Sequence, residues 1–283
     1  MIRAAVGGDR QSVFDIWKTC FGDGDAYINF FLDKLFVPQH CLLYTLDGEA
    51  AAMLHLLPMI YNGGDKPMDA QYIYAAATMP EYRRRGIMGE LIDFAAARGA
   101  DSGRVFTVLM PANEGLYEYY QKCGFSTAFY VKRSQMGRGE LEKLAAGAPP
   151  LKDIQFDAGL IFRQRAIYFK PAVLWGFEMF KYIADEWRFS GGKIFAWAGG
   201  FSFLKRTSDA LFIKEACMRD GELPAFAAAL LKLYDGQKFV FQLQERSPLF
   251  IGDGFMRYGM IRHSNNEQVQ ELCPGTYFNM VLD

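Results

Sequence analysis

The chain has 283 residues, 51% of them hydrophobic and 22% charged, which describes a globular protein large enough for two ordinary domains or one large one. A net charge of −1 gives no general pull toward nucleic acid or an anionic membrane. Five cysteines without a C-x-x-C pair and three scattered histidines predict reduced thiols, no metal site and a cytoplasmic setting, and no apolar run is long enough to span a bilayer.

The opening residues, interrupted by Asp9, are not expected to form a signal peptide. Ile2–Val6 reads as a short strand. Arg10–Cys20 carries Val13, Ile16, Trp17 and Cys20 at helical spacing, and Asp25–Phe36 carries Ile28, Phe31, Leu32 and Leu35 likewise. Cys41–Leu46 and Glu49–Ile60 read as strands joined across Asp47-Gly48, and Tyr61–Pro67 as a loop broken at Asn62-Gly63-Gly64. Next come a strand (Tyr72–Thr78), a turn rich in arginine and glycine, a helix (Glu90–Arg98), a strand (Arg104–Met110), a short helix and a strand (Phe125–Arg133).

Gly137–Pro150 loses strand character, gathers Gly and Ala, and ends in Pro149-Pro150, so it marks the expected boundary between units 1–137 and 151–283. The second unit reads as a helix over Pro171–Trp187 and strands over Lys193–Ala198, Phe201–Lys205 and Ala210–Cys217. A helix (Glu222–Tyr234) and strands over Lys238–Gln244, Phe255–Ile261 and Thr276–Leu282 follow. Its order repeats that of the first, with Gly254-Phe255 in the place of Gly124-Phe125.

The turn Arg83-Arg84-Arg85-Gly86-Ile87-Met88-Gly89 is the most informative stretch. A helix N-terminus leaves backbone N–H groups without partners and is partly positive. Gly86 and Gly89 let a ligand approach the backbone, and Arg84 and Arg85 add fixed donors that match phosphate oxygens. Together they form a pyrophosphate cradle. The spacing is neither that of a P-loop nor that of a dinucleotide fingerprint. In the repeat the same place reads Met218-Arg219-Asp220-Gly221-Glu222, with acids where arginines stood, so one anionic cofactor per chain is expected.

This segment resembles the acetyl-coenzyme A motif R-x-x-G-x-G/A of the GNAT superfamily of N-acetyltransferases, with Arg83, Gly86 and Met88 on its positions. Met88 departs from the small residue usual there, as in the Eis-type branch. Tyr120-x-x-Cys123-Gly124-Phe125 is similar to the family's Y-x-x-x-G-F element. The resemblance implies an α/β (α+β) tandem GNAT fold with mixed central sheets flanked by helices, the second GNAT unit degenerate and shaping the substrate cleft. The resemblance is to the Eis-type branch without its sterol-carrier-like domain, which this chain is expected to lack.

The resemblance also implies acetyl-coenzyme A held by Ala77, Thr78, Met79, Arg84, Arg85, Gly86, Ile87, Met88, Gly89 and Asn113, and Tyr120 as the acid that protonates the departing thiolate. On helical spacing Tyr117 shares the face of Tyr120 and Tyr119 points away. The strand before the turn carries no acid, which leaves Asp283 or its terminal carboxylate, His55, or a chain of waters as the base. The aromatics Tyr27, Phe30, Phe31, Trp175 and Phe177 are candidate walls of the substrate cleft. The acceptor implied is a small-molecule or peptide amine. The alternatives are a non-catalytic acyl-coenzyme A-binding module and a Fem-like aminoacyl transferase using aminoacyl-tRNA; the near-zero net charge argues against the latter.

Overall fold

The computed structural model describes residues 1–219, 221–244, 254–264, 272–280 and 282. The expected Asp283, and Asp220 of the acidic turn, lie outside the described residues. The first half runs β1 (Ile2–Ala4), α1 (Arg10–Phe21), α2 (Asp25–Leu35), β2 (Cys41–Leu46), β3 (Glu49–Tyr61), β4 (Met68–Thr78), α3 (Ile87–Asp101), β5 (Phe106–Leu109), α4 (Glu114–Lys122) and β6 (Ser126–Gly137). The apolar stripes behave as the periodicity requires. Val13, Ile16 and Trp17 of α1 and Ile28, Phe31 and Leu32 of α2 are buried, and the Trp17 and Phe31 rings meet with centroids 4.8 Å apart. Asp47 and Gly48 both take positive φ, 49° and 87°, the geometry a two-residue hairpin demands.

The second half runs α5 (Arg138–Ala145), α6 (Ala158–Tyr168), β7 (Val173–Trp175), α7 (Phe177–Phe189), β8 (Gly192–Trp197), β9 (Gly200–Arg206), β10 (Leu211–Cys217), α8 (Leu223–Leu233), β11 (Lys238–Gln244) and β12 (Phe255–His263). Four features differ from the sequence expectation. The boundary stretch contains α5, which buries Leu141 and Ala145 in the same cluster as Phe226 and Leu230 of α8; a helix this short shows too few apolar repeats to be read. Helix α6 was not expected, because its apolar residues are spread around the helix and its buried face includes a charge, Arg165. Pro171–Trp187 is not one helix: Val173–Trp175 pairs with Met59–Tyr61 of β3, and α7 begins only after Gly176. Among the described residues of the expected strand Thr276–Leu282 there is no ladder pairing. Tyr277 makes a bridge to Ala172, and Met280 turns the chain with φ 51°.

The described strands form one sheet in the order β1-β2-β3-β4-β5-β12-β6-β11-β10-β9-β8, with β7 on β3. The pairs β4–β5 and β10–β11 are parallel, so the repeat read in the sequence is a repeat of topology. Its last strands are exchanged. β12 pairs with β5 of the first half, β6 pairs with β11 of the second, and the two lie side by side. Sheet hydrogen bonding therefore crosses from one half to the other without a gap. This is the mixed α/β architecture expected of the chain, central strands flanked by helices. No helix among the described residues is long and apolar enough to cross a membrane.

The segment 276–280 and Leu282 run through the interior. Tyr277, Phe278, Asn279, Met280 and Leu282 are all buried. Their polar groups are met one by one: Tyr277 donates from its backbone N–H to Pro171 O at 2.9 Å, the Asn279 amide donates to Lys214 O at 2.7 Å, the Trp175 indole donates to Met280 O at 2.7 Å and the Tyr72 hydroxyl donates to Leu282 O at 3.3 Å. A buried ion pair anchors the same segment. The Arg165 guanidinium donates to both oxygens of Glu215, at 2.6 and 2.9 Å, and the Tyr277 hydroxyl donates to Glu215 Oε2 at 2.5 Å.

Candidate active site

The site begins where two parallel strands part. β4 and β5 pair only at Gln71–Thr107 and Tyr72–Val108, and β4 runs on to Thr78. A bulge turns β4 at the parting. Tyr74 pairs with His55 and Ala77 with Met53, so Ala75 and Ala76 oppose the single residue Leu54, with Ala75 at φ 50°. The parting leaves main-chain groups of β4 facing a gap, and α3 starts immediately beyond it.

A cavity of about 400 Å³ occupies this gap, a size suited to a cofactor. One wall is Ala76, Ala77 and Thr78 of β4. The turn and the start of α3 contribute Tyr82, Arg83, Arg84, Gly86, Ile87 and Met88. Cys20 and Phe21 close one side, and Leu116, Tyr119 and Tyr120 of α4 the other. Gly86 has φ 79°, which favours glycine, and a side chain there or at Gly89 would point into open space. The cradle is therefore unobstructed. Helix α3 has fifteen residues, enough for its N-terminal dipole to act on an anion at this end.

The arginines of the turn divide their work. Arg83 donates from Nε to Thr78 O at 3.0 Å, and its Nη2 lies 3.8 Å from Cys20 Sγ, so it fixes the turn to the end of β4 and to α1. Arg85 turns back, donating to Glu81 O at 3.0 Å over the Tyr82 ring. Arg84, at φ 62°, lines the cavity. Substituting Arg84 by alanine is expected to raise the Kd of a phosphate-bearing ligand at this turn roughly tenfold, the size of one charge-assisted phosphate contact, with the unfolding temperature unchanged; calorimetric titration checks it.

Of the expected cofactor residues the cavity gathers Ala77, Thr78, Arg84, Gly86, Ile87 and Met88. Met79, Arg85, Gly89 and Asn113 are not among its wall residues. Asn113 caps α4, its Oδ1 accepting the Leu116 N–H at 3.3 Å, and so sets the angle at which that helix presents its tyrosines. Tyr119 does not point away as its spacing suggests. It lines the cavity beside Tyr120, ring centroids 5.3 Å apart, while Tyr117 is buried in the core. Burial pushes the Tyr119 and Tyr120 phenols up, that of Tyr120 to about 12.

Tyr120 stands at a junction. A second cavity, of about 170 Å³, shares Phe21, Ala76, Leu116 and Tyr120 with the first. Its other walls are Trp17, Asp23, Tyr72, Ile73, Tyr74 and Ala75 on one side and Leu109, Met110, Ala112 and Leu282 on the other. Sequence reading missed Cys20, Phe21 and Asp23, which come from the end of α1 and the turn after it. Nothing in the Gly22-Asp23-Gly24 stretch set Asp23 apart, because Asp is an ordinary turn residue.

His55 lies elsewhere. It is fully buried, its ring 5.0 Å from that of Phe31 and 5.8 Å from that of Trp17, and it lines neither cavity. Both ring nitrogens lack a hydrogen-bond partner among the described residues, and burial lowers its pKa to about 3. Of the five aromatics expected to wall the cleft, Phe31 and Trp175 are core residues, Phe30 stacks on Phe189 and Phe177 is partly exposed.

In the second half the equivalent turn carries an acid where the first carries arginines. Glu222, at the N-terminus of α8, accepts the Arg219 N–H at 2.9 Å and the Trp197 indole N–H at 3.1 Å. A carboxylate at this turn repels an anionic ligand.

Residues 1–128 match the family model described as "Acetyltransferase (GNAT) domain". Among solved structures, the chain is similar to a GCN5-related N-acetyltransferase from Kribbella flavida, at 14% identity and a TM-score of 0.76 over 93% of this chain and 70% of that one. It is similar to Eis1 from Mycobacterium abscessus, at 13% identity and a TM-score of 0.71 over 94% and 74%. A tandem GNAT protein from the clavulanic acid biosynthesis pathway aligns at 11% identity and a TM-score of 0.55 over 94% and 99%. No curated protein matches the sequence.

Proposed function

We propose that this chain, whose residues 1–128 match the GNAT acetyltransferase domain model and whose fold is like that of a tandem GNAT protein, moves an acetyl group from acetyl-coenzyme A to a primary amine by direct attack. The observation that carries this reading is the pair of cavities meeting at Tyr120. The first has the cradle for a pyrophosphate and the open edge of β4 for the pantetheine arm. The second, walled mainly by aromatic and aliphatic side chains, has room for the reacting end of an acceptor.

In this reading the amine nitrogen attacks the thioester carbonyl carbon, and main-chain N–H groups at the parted strands hold the developing oxyanion. The C–S bond then breaks, and the thiolate takes the proton of the Tyr120 hydroxyl. Most of the acceleration comes from holding amine and thioester together. The base that takes the amine proton is assigned to Asp283, which follows Leu282 in a wall of the second cavity, acting directly or through water. His55 is set aside as base because it lies in the core away from both cavities. The carboxylate of Glu222 at the second-half turn supports one active site per chain. The test is thiol release from acetyl-coenzyme A. Release that requires both protein and an added primary amine is expected; acetyl-coenzyme A that binds without turnover against a broad amine panel would leave a binding module instead.

A further inference from the structure

A further cavity, of about 190 Å³, lies at the other end of α3 from the cradle. Fifteen residues at about 1.5 Å each put about 22 Å between the two ends of this helix. Cofactor and drug-sized pockets begin at about 300 Å³, so this one suits a small ion or head group. Its walls come from separate stretches of chain: His40 in the short turn before β2, Arg98 and Ser102 at the end of α3, Arg104 just after it, and Gln71 of β4.

Charge is the informative property. Two arginines and a histidine line the cavity, and no carboxylate does. Burial, then the Arg104 and Arg98 charges, lower the His40 pKa, so both cations bear on the same imidazole. Neither arginine forms an ion pair among the described residues. Arg98 donates to Gln39 O at 3.0 Å, and the Arg104 guanidinium makes no hydrogen bond to a described residue. The ordinary work of basic residues at a helix end is to cap its last carbonyls, and here other groups do it. The carbonyls of Arg98, Gly99 and Ala100 accept backbone N–H groups of Ser102, Arg104 and Gly103, and Arg98 O also accepts the Ser102 hydroxyl at 2.8 Å. Like charges brought together in a confined space repel one another. The negative end of α3 offsets part of this repulsion, but it supplies no partner for the guanidinium donors; a bound anion supplies both.

We propose that this cavity is a second anion site, built for a phosphate group, either inorganic phosphate or the phosphate of a small monoester. Two planar guanidinium forks and an imidazole, carried on different elements, match oxygens that point in several directions better than the two coplanar oxygens of a carboxylate. The site is independent of the acetyltransfer reading, since none of its residues lines the first or the second cavity. The test is calorimetric titration at constant ionic strength with inorganic phosphate and with glycerol 3-phosphate, and with acetate as the planar control. Phosphate binding is expected to persist in Arg84→Ala, whose cradle is weakened, and its Kd to rise about tenfold in Arg104→Met, the size of one charge-assisted contact. Tighter binding of the free ion or of the monoester tells the two sources apart and upholds the site either way. His40, one of three histidines and assigned by the signals lost in His40→Gln, reports on the wild-type chain directly. Its ring NMR signals should shift with phosphate while those of the core His55 do not, a readout that needs no arginine variant to fold. No phosphate binding beyond that of chloride, acetate bound as tightly as phosphate, or His40 signals that phosphate leaves unmoved overturns the proposal. So does a phosphate Kd that Arg84→Ala raises and Arg104→Met does not, which would put the ion in the cradle.

Discussion

Tyr120→Phe is expected to lower kcat by about 10²-fold or more, the usual worth of a positioned general acid, while acetyl-coenzyme A binds as before. Phenylalanine keeps the ring that packs against Phe125, 5.9 Å between centroids, and removes only the hydroxyl. Fold and cofactor affinity should therefore be preserved, which isolates the proton-transfer step. The pH profile gives a second reading. Burial holds the Tyr120 phenol at about 12, so it stays protonated until strongly alkaline pH. The wild-type kcat should thus show no falling limb at or below the ordinary phenol value of about 10. Normal turnover by the variant, or a falling limb in that lower range, would remove Tyr120 from the acid's role.

The largest effect on stability is expected at Glu215. Its ion pair with Arg165 is completely buried, the two side chains being 0% and 1% exposed, and it also accepts the Tyr277 hydroxyl. Replacing Glu215 by alanine leaves the Arg165 charge in the core without a counter-charge, which typically costs about 3–5 kcal/mol. Replacing both, as Arg165→Met with Glu215→Leu, removes the charge as well as its partner and should cost much less than either single change. Urea unfolding measures both. A single substitution that cost under about 1 kcal/mol would mean that the pair does not anchor the segment after Thr276. The consequence reaches the site, because Leu282 of that segment walls the second cavity. A Glu215→Gln protein, which removes the charge but keeps the shape and one acceptor oxygen, should show a raised acceptor KM with an unaltered KM for acetyl-coenzyme A.

Much of this was legible in the residues. Hairpin turns, amphipathic stripes and the arginine–glycine turn are local signals, and local chemistry places them. Gly86 lines the cavity at the start of α3, as its place in the turn suggested, and the repeat of strand, helix and strand is real. What could not be read depends on partners distant in sequence. No pattern in Phe255–His263 says that it inserts between β5 and β6, since an alternating strand fits any open edge. The terminal segment reads as an ordinary strand because its side chains are apolar, yet it is buried through bonds to Pro171, Lys214 and Trp175. Tyr119 was misjudged because an ideal helical wheel takes no account of the cavity on its flank. Asp23 went unweighed because only the folded chain brings it to the second cavity.

The central claim is that one cradle, in the first half, holds the acyl donor, while the equivalent turn of the second half, with Glu222 in place of arginine, repels one. Calorimetric titration of the purified chain with acetyl-coenzyme A tests this most directly. The account predicts one molecule bound per chain, with affinity weakened by Arg84→Ala and untouched by Glu222→Gln. Two molecules per chain, or none, would contradict it.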